Sequence, residues 1–323
     1  MELPSELQIA LAEQLIGSSQ SQIIDAAESI SLRYRTRSPS KQYIRNRSEA
    51  LAYAIARMPA TFGTVYKALG YSLEFMDVPR TSSVSLLDIG AGTGAASWAA
   101  SEFLSLDSVI CIEYVDFMRQ LGETMMRHSE GRLKNANWKN LNIVSEPIDD
   151  QAEYVIASYV LNELETGAQL QVAEKLWRVT KTMLLFVEPG TPEGYMVLKR
   201  IRQRFLELGA HIIAPCPHEY ACPLSEKDWC HFTCRIQRNR LHKIAKGGDA
   251  PYEDEKFSYL ALSKEKTSTN GVRILRHPYI GKGHVKLELC TKTGLLQKTF
   301  TKRDGDQYKI AKKADCGDII MET

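Results

Sequence analysis

VSLLDIGAGTG, residues 84–94, is the stretch whose reading decides the fold. Val84, Leu86, Leu87 and Ile89 predict a parallel strand buried on both faces. Gly90, Gly92 and Gly94 predict a sharp backbone turn beneath a ligand, leading into a helix. Asp88 completes a D-x-G-x-G-x-G pattern. This is not the dinucleotide fingerprint G-x-G-x-x-G, because the third glycine comes one residue early and an acid closes the strand. A carboxylate there repels a pyrophosphate but can pair with an ammonium. The next strand, SVICIE at 108–113, ends in Glu113, nineteen residues past Gly94. A carboxylate at that point can accept both hydroxyls of an adenosine ribose.

Outward from this unit, residues 3–76 predict helices. LQIALAEQLI and IIDAAESISLRY repeat apolar residues at three and four. The loop RTRSPSKQ precedes SEALAYAIARMPATFGTVYKAL, which predicts a helix pair broken at Met58-Pro59. Arg57 at that break either faces the ligand or caps a helix. Downstream, helix and strand alternate as in a doubly wound sheet: AASWAASEFL, SVICIE, VDFMRQLGETMMRH, a weak strand near 141–144, EYVIASY at 153–159, a helix over 167–179, TMLLFV at 182–187 and a helix over 192–208. Ligands of such sheets sit over the strand carboxyl ends. Asn162, Glu163 and Glu188 fall there, as ligand contacts or as loop caps. The glycines with Asp88 and Glu113 resemble the S-adenosylmethionine site of class I methyltransferases. The expected fold is therefore α/β: a class I methyltransferase-like Rossmann sheet (81–209), an N-terminal helical region (1–80) and a cysteine-rich, basic, β-containing extension (210–323). The expected cofactor contacts are Asp88, Gly90, Gly92, Gly94, Glu113 and Asn162.

The bulk numbers narrow the class. A chain of 323 residues can bury a sizeable core, and its 44% hydrophobic and 25% charged residues are ordinary for a globular protein. It contains no apolar run of about 18 residues and no basic-then-apolar leader, so neither a membrane span nor a secretory signal is expected, and the expected location is cytoplasmic. The seven cysteines then read as reduced thiols or metal ligands. The formal charge of +2 conceals an asymmetry: residues 235–313 hold 19 Lys+Arg against 8 Asp+Glu, a local +11, which leaves −9 on the remainder. Such an excess favours a nucleic-acid partner over a merely solvated face.

A second informative stretch is HIIAPCPHEYACPLSEKDWCHFTCRIQRNR. Cys216, Cys222, Cys230 and Cys234 fall within nineteen residues as C-x5-C-x7-C-x3-C. Thiolates so close repel one another unless a cation holds them, which points to a metal site. Zinc sites use paired C-x2-4-C knuckles, absent here, so an iron-sulfur cluster is favoured and zinc is the alternative. Pro215-Cys216 could instead be the nucleophile of a cytosine-C5 methyltransferase, but it comes a helix too late for that. A radical enzyme would need C-x3-C-x2-C, which is absent. Cys111 reads as core, and Cys290 ends the alternating strand HVKLELC before the turn TKTG. Tyr259, Tyr279 and Tyr308, among the basic residues of the tail, are candidates to stack on RNA bases.

With AYAIARMPAT, LLDIGAGTGAASWAA, SYVLNEL, VEPGTPEG, APCPHEYACPL, WCHF, PYEDEKFSYLAL and HVKLELC in view, the chain resembles, from Ala52 to Asp318, the methyltransferase-like small-ribosomal-subunit assembly factors of bacteria and mitochondria. The resemblance implies association with the maturing small subunit and its ribosomal RNA, and a 4Fe-4S cluster. Carried over by position, the implied ligands are Cys216, Cys222, Cys230 and Cys290, the first three in the P-C-P-H loop and a helix after it. Cys234, where the family more usually has a polar residue, competes with Cys290 for the fourth place. The chain keeps Asp88, the glycines and Glu113, so S-adenosylmethionine binding is expected. It has no N-P-P-Y motif and no evident base, so methyl transfer does not follow from the resemblance.

Overall fold

The computed structural model describes residues 1–17, 19–35, 44–76, 83–246, 248–267 and 271–321. Most of the loop RTRSPSKQ and the expected boundary near residue 80 lie outside the described residues.

Three helices come first: α1 (Ser5–Glu13), α2 (Gln20–Arg35) and α3 (Arg47–Leu73). α3 differs from the expected helix pair, because it runs unbroken for 27 residues with Pro59 inside it. A proline in a helix interior forfeits a hydrogen bond at about 3 kcal/mol. Tertiary burial overrides that cost: Met58, Pro59 and Ala60 are all buried, and α3 packs against α2, the next helix α4 (Ala95–Ser101) and the sheet. Asn46 caps its start by accepting a hydrogen bond from the Glu49 amide at 2.9 Å.

The main sheet is built from β1 (Val84–Ile89), β2 (Leu106–Ile112), β3 (Asn137–Lys139), β4 (Ala152–Ser158), β5 (Thr180–Pro189), β6 (His211–Ala214), β7 (Phe232–Gln237) and β8 (Tyr252–Ser263). Its order is β3-β2-β1-β4-β5-β8-β6, with β7 also on β8. β1 to β5 are mutually parallel, and β8 runs antiparallel to β5, β6 and β7. The chain thus has the α/β class I methyltransferase-like fold, with β8 inserted antiparallel between β5 and β6. The expected weak strand near 141–144 is instead β3, at 137–139. α5 (Asp116–Met126), α6 (Thr166–Val179) and α7 (Pro192–Glu207) complete the crossovers. Strand order reverses between β1 and β4, which opens a crevice at their carboxyl ends.

After α8 (Arg240–Lys246) a second sheet forms from β9 (Val272–Ile274), β10 (Tyr279–Gly281), β11 (His284–Thr291), β12 (Gly294–Thr301) and β13 (Ile319–Ile320), with α9 (Asp306–Lys313) against it. Val285, Leu287 and Leu289 face a small core with Ile274 and Phe300, as their alternation with Lys286 and Glu288 predicts. The turn TKTG closes the β11–β12 hairpin, with Thr291 opposite Gly294.

Candidate functional site

The glycine turn lies at the carboxyl end of β1. Gly90, Gly92 and Gly94 have φ of 60°, 58° and 87°, a region open to glycine but strained for other residues. A Cβ on Gly90 would stand 2.3 Å from Val160 Cγ2, so this turn is closely covered by the loop after β4. Asp88 is fully buried, and its Oδ2 accepts hydrogen bonds from the Ser97 amide (3.0 Å) and hydroxyl (2.7 Å). Its Oδ1 is buried without a partner. Burial pushes this carboxyl up to about 7 against the pull of the Ser97 hydrogen bonds. Glu113 follows β2; its Oε2 accepts from the Gly92 amide at 2.8 Å and its Oε1 from the Val115 amide at 2.7 Å. The carboxylate expected at the ribose therefore also ties down the turn, and each oxygen retains a second lone pair for a ligand.

The loop after β4 is held from beneath. Glu188, fully buried at the end of β5, accepts from the Leu161 amide (2.9 Å) and the Asn162 amide (3.2 Å). Burial pushes its carboxyl up to about 8. The Asn162 side chain, oriented by its hydrogen bonds, donates to Glu188 Oε2 (2.8 Å) and the Tyr159 carbonyl (3.0 Å). Asn162 and Glu188 thus shape the loop, the cap role the sequence left open for both.

Around the mouth stand Arg57 and Glu163, which the sequence singled out, with Tyr53, Tyr159 and Glu255, which it did not. Tyr159 is the one non-glycine residue with positive φ, 60°, among the described residues, a strain that persists only where surroundings impose it. Its hydroxyl reaches Thr64 Oγ1 and Glu255 Oε1, both at 3.4 Å. Arg57 Nη2 lies 3.3 Å from the same Glu255 oxygen, so Arg57 faces the crevice rather than capping a helix. Glu163 keeps solvent contact yet is hemmed in by protein, and that desolvation pushes it up to about 7, with the charge of Glu113 adding to the effect. Tyr53, from α3, is pushed up to about 12 by burial and by Glu163. Tyr159 was legible only as the last residue of the expected strand EYVIASY, three before Asn162. Glu255 left no signal, because its place depends on where β8 inserts.

A separate cavity lies between α7, β8 and the second sheet. Cys216, Cys222, Cys230 and Cys290 all line it, with Arg202 and Arg273. Cys216 follows β6, Cys222 comes from the loop beyond it, Cys230 precedes β7 and Cys290 sits on β11. Tyr195 Oη is 3.2 Å from Cys222 Sγ, and His218 Nε2 is 3.7 Å from Cys290 Sγ. Burial pushes Cys290 up to about 12, and the Cys216 and Cys222 thiols act in the same direction. Four protonated thiols can share this space, whereas four bare thiolates would repel. Among the described residues no three His, Cys, Asp or Glu side chains are grouped to hold a metal ion as they stand.

The other thiols stand apart. Residues 232–237 are strand, so Cys230 precedes β7 and Cys234 lies on it, not on the helix that the resemblance implied. Cys234 is fully buried on β7 opposite Glu255, and a Cβ on Gly63 of α3 would come within 2.8 Å of its Sγ. Cys316 is buried with its Sγ 3.3 Å from the Leu275 carbonyl, and Cys111 lies in the core 3.4 Å from Ser97 Oγ, as predicted.

Comparison with known proteins decides the family. Residues 47–321 match the family described as mitochondrial small ribosomal subunit Rsm22. The chain belongs to the Rsm22 family. The human mitochondrial ribosome assembly protein METTL17 is 26% identical over 292 residues, covering 84% of this chain and 62% of that protein. The mitochondrial Rsm22-cox11 tandem protein 2 of Schizosaccharomyces pombe is 24% identical over 324 residues, covering 84% of this chain and 43% of its own length. The chain therefore spans less than two thirds of these relatives. Among solved structures, the magnesium protoporphyrin IX methyltransferase of Synechocystis with bound SAM superposes with a TM-score of 0.41 at 12% identity, covering 76% of this chain and 97% of that one. The expected cytoplasmic location is overturned, since the family and both relatives are described as mitochondrial. Composition could not have decided this, because a globular chain without a membrane span suits either compartment. No helix among the described residues is long and apolar enough to cross a membrane.

In this Rsm22-family chain the basic tail presents an uneven surface. Tyr279 on β10 is 63% exposed, and Lys286 Nζ lies 5.8 Å from its ring centroid. Ile280 next to it, and Leu295 and Leu296 on β12 of the same sheet, are also exposed. Tyr259, expected to stack on RNA, is instead buried in the main core against Tyr71, Phe232 and Phe257, because β8 is an interior strand. Tyr308 is half-buried against the small core.

Proposed function

We propose that this chain is an assembly factor of the small ribosomal subunit, acting in the compartment for which its relatives are named, that binds ribosomal RNA through its basic second sheet and carries a 4Fe-4S cluster on Cys216, Cys222, Cys230 and Cys290. The observation that carries this reading is the convergence of four thiols from four separate points of the chain on one cavity between the two sheets. Two further features suit an anionic group: Arg202 Nε and His218 Nδ1, beside the thiols, are buried without partners. The lack of paired C-x2-4-C knuckles supports iron-sulfur over zinc here. When bound, the cluster would tie the loop at Cys216 to β11, so that the RNA-facing sheet is ordered only in the loaded protein.

The same reading assigns S-adenosylmethionine to the crevice over Gly90, Gly92 and Gly94, with Asp88 and Glu113 as its acceptors and Asn162 shaping the wall. The unpartnered Asp88 oxygen supports it. Anaerobic purification with iron and sulfide analysis, followed by sedimentation with immature small subunits, tests the assembly reading. A colourless protein that holds no iron and leaves the subunits unbound would sink it.

A second reading, an active RNA methyltransferase with a structural metal site, is favoured by one observation: the Glu163 carboxyl, raised by desolvation, stands near the strained Tyr159 at the crevice mouth. Transfer of labelled methyl groups to small-subunit RNA distinguishes the two.

A further inference from the structure

Arg273 is the largest fully buried side chain of the protein among the described residues, 1% exposed, and Arg202 is 7% exposed. Both line the thiol cavity, Arg202 from α7 of the main domain and Arg273 from β9 of the second sheet. Their partners are all neutral. Arg273 donates to the carbonyls of Pro215 (3.0 Å) and Gly317 (2.6 Å), and its guanidinium lies 5.4 Å from the Tyr71 ring centroid. Arg202 donates to the carbonyls of His218 (3.0 Å) and Tyr220 (2.7 Å), and its Nε has no partner. Among the described residues no carboxylate lies within 4.0 Å of either guanidinium. Glu74 faces Arg273 from beyond that range, with Asp318 also near Glu74.

Two buried cations with no carboxylate in contact are an unfinished arrangement. The effective cost of taking one such ion out of water is several kcal/mol, and arginine does not escape it by deprotonating. Carbonyl hydrogen bonds and ring faces recover part of this but leave the charge in place. The neutral thiols add no compensation. Of the other cations near the cavity, Arg276 is already paired with Asp228.

We propose that Arg202 and Arg273 are the built-in counter-ions of the group held by the four thiolates, and that they set its reduction potential. This inference rests on the cluster reading above. A 4Fe-4S core of charge +2 on four thiolates is a dianion, which two guanidiniums neutralise. Uptake of one electron from an external reductant makes the group −3, and the two cations stabilise that state more than the −2 state. They also stand on different elements, α7 and β9, so the anion joins them, and its loss leaves two like charges beside one buried cavity. Arg202 and Arg273 are positioning residues that act through charge, not ligands.

The test uses anaerobically purified full-length protein, with iron and sulfide content measured first and a dithionite redox titration second. The Arg202→Gln and Arg273→Gln variants should each shift the reduced-to-oxidised ratio at fixed potential at least tenfold toward oxidised, equivalent to 59 mV for one electron. Arg202→Lys and Arg273→Lys should restore most of the ratio despite losing carbonyl contacts. Should Arg273→Gln fail to fold, Arg202→Gln and the two lysine variants carry the comparison. Hydrogen exchange on the wild type gives a readout without substitution, with protection at 215–222 and in β9 falling when the cluster is stripped. Wild-type protein without iron and sulfide overturns the cluster reading and this inference with it. A loaded protein whose potential is the same in the glutamine and lysine variants overturns the counter-ion assignment alone.

Discussion

Arg57 on α3 meets Glu255 on β8 across 198 residues of sequence, with Nη2 3.3 Å from Oε1, and so fastens the helical prelude over the mouth of the crevice. The pair is partly solvated, with side-chain exposures of 38% and 18%, so its Coulomb attraction is screened. Glu255→Gln is expected to cost about 1 kcal/mol in a urea melt, with Tyr159→Phe, which loses a contact to the same oxygen, adding less than its full separate effect. Strict additivity of the two would show that the oxygen is not shared.

Asp88 offers a sharper test of the cofactor crevice. Asp88→Asn keeps the shape but loses the charge, and Glu113→Gln does the same at the far end of the turn. Each is expected to weaken S-adenosylmethionine binding at least tenfold in calorimetry, about 1.4 kcal/mol. Unchanged affinity in both would place the ligand elsewhere.

The cysteines separate by position. Cys216→Ser, Cys222→Ser, Cys230→Ser and Cys290→Ser are each expected to lose most of the bound iron. Cys234→Ser, in the packed contact with α3, should keep the iron and lower stability by about 1–3 kcal/mol through a buried hydroxyl. Iron retained in Cys290→Ser but lost in Cys234→Ser would reverse the choice of fourth ligand.

Glu188 predicts a pH dependence of stability. Burial raises its carboxyl from 4.5 to about 8 in the folded chain. The folded state therefore holds a proton that the unfolded state releases, so this contribution is full below about pH 4.5 and is lost as pH rises to about 8. Asp88, raised to about 7, acts in the same sense. In Glu188→Gln the thermal midpoint should fall less steeply across that window than in the wild type. An equal slope would mean that Glu188 is ionised in the fold throughout.

On the second sheet, Tyr279→Ala is expected to weaken binding to single-stranded ribosomal RNA segments by about 1–3 kcal/mol, the worth of one stacked base. Lys286→Ala should reduce the salt dependence of binding. Tyr259→Phe, buried in the main core, should leave RNA affinity unchanged. Loss of RNA binding in Tyr259→Phe with none in Tyr279→Ala would move the interface off β10.

How much of this was legible in sequence follows from the range of the interactions involved. The apolar run of β1 and the three left-handed glycines announce themselves because strand burial and positive φ are local demands on residue type. The helix α3 was misread at Pro59 because the local penalty is visible in sequence and the tertiary packing that outweighs it is not. Tyr259 was misplaced for the same reason, since a half-polar strand in a basic tail does not declare that it inserts beside β5. Arg202 and Arg273 are two among many basic residues, and only their burial distinguishes them.

The sequence by itself determined the doubly wound sheet, the glycine turn with its two carboxylates, the alternating strand of the second sheet and the presence of four clustered cysteines, each a pattern set by neighbours a few residues apart. Only the tertiary structure brought Cys216, Cys222, Cys230 and Cys290, the set the resemblance implied, to one cavity with Cys234 outside its lining, and put beside it two guanidiniums that no carboxylate among the described residues contacts. The physical reason is that burial and charge compensation are properties of groups brought together from residues 202 to 290, and no local rule of sequence records how much water or counter-charge each will meet.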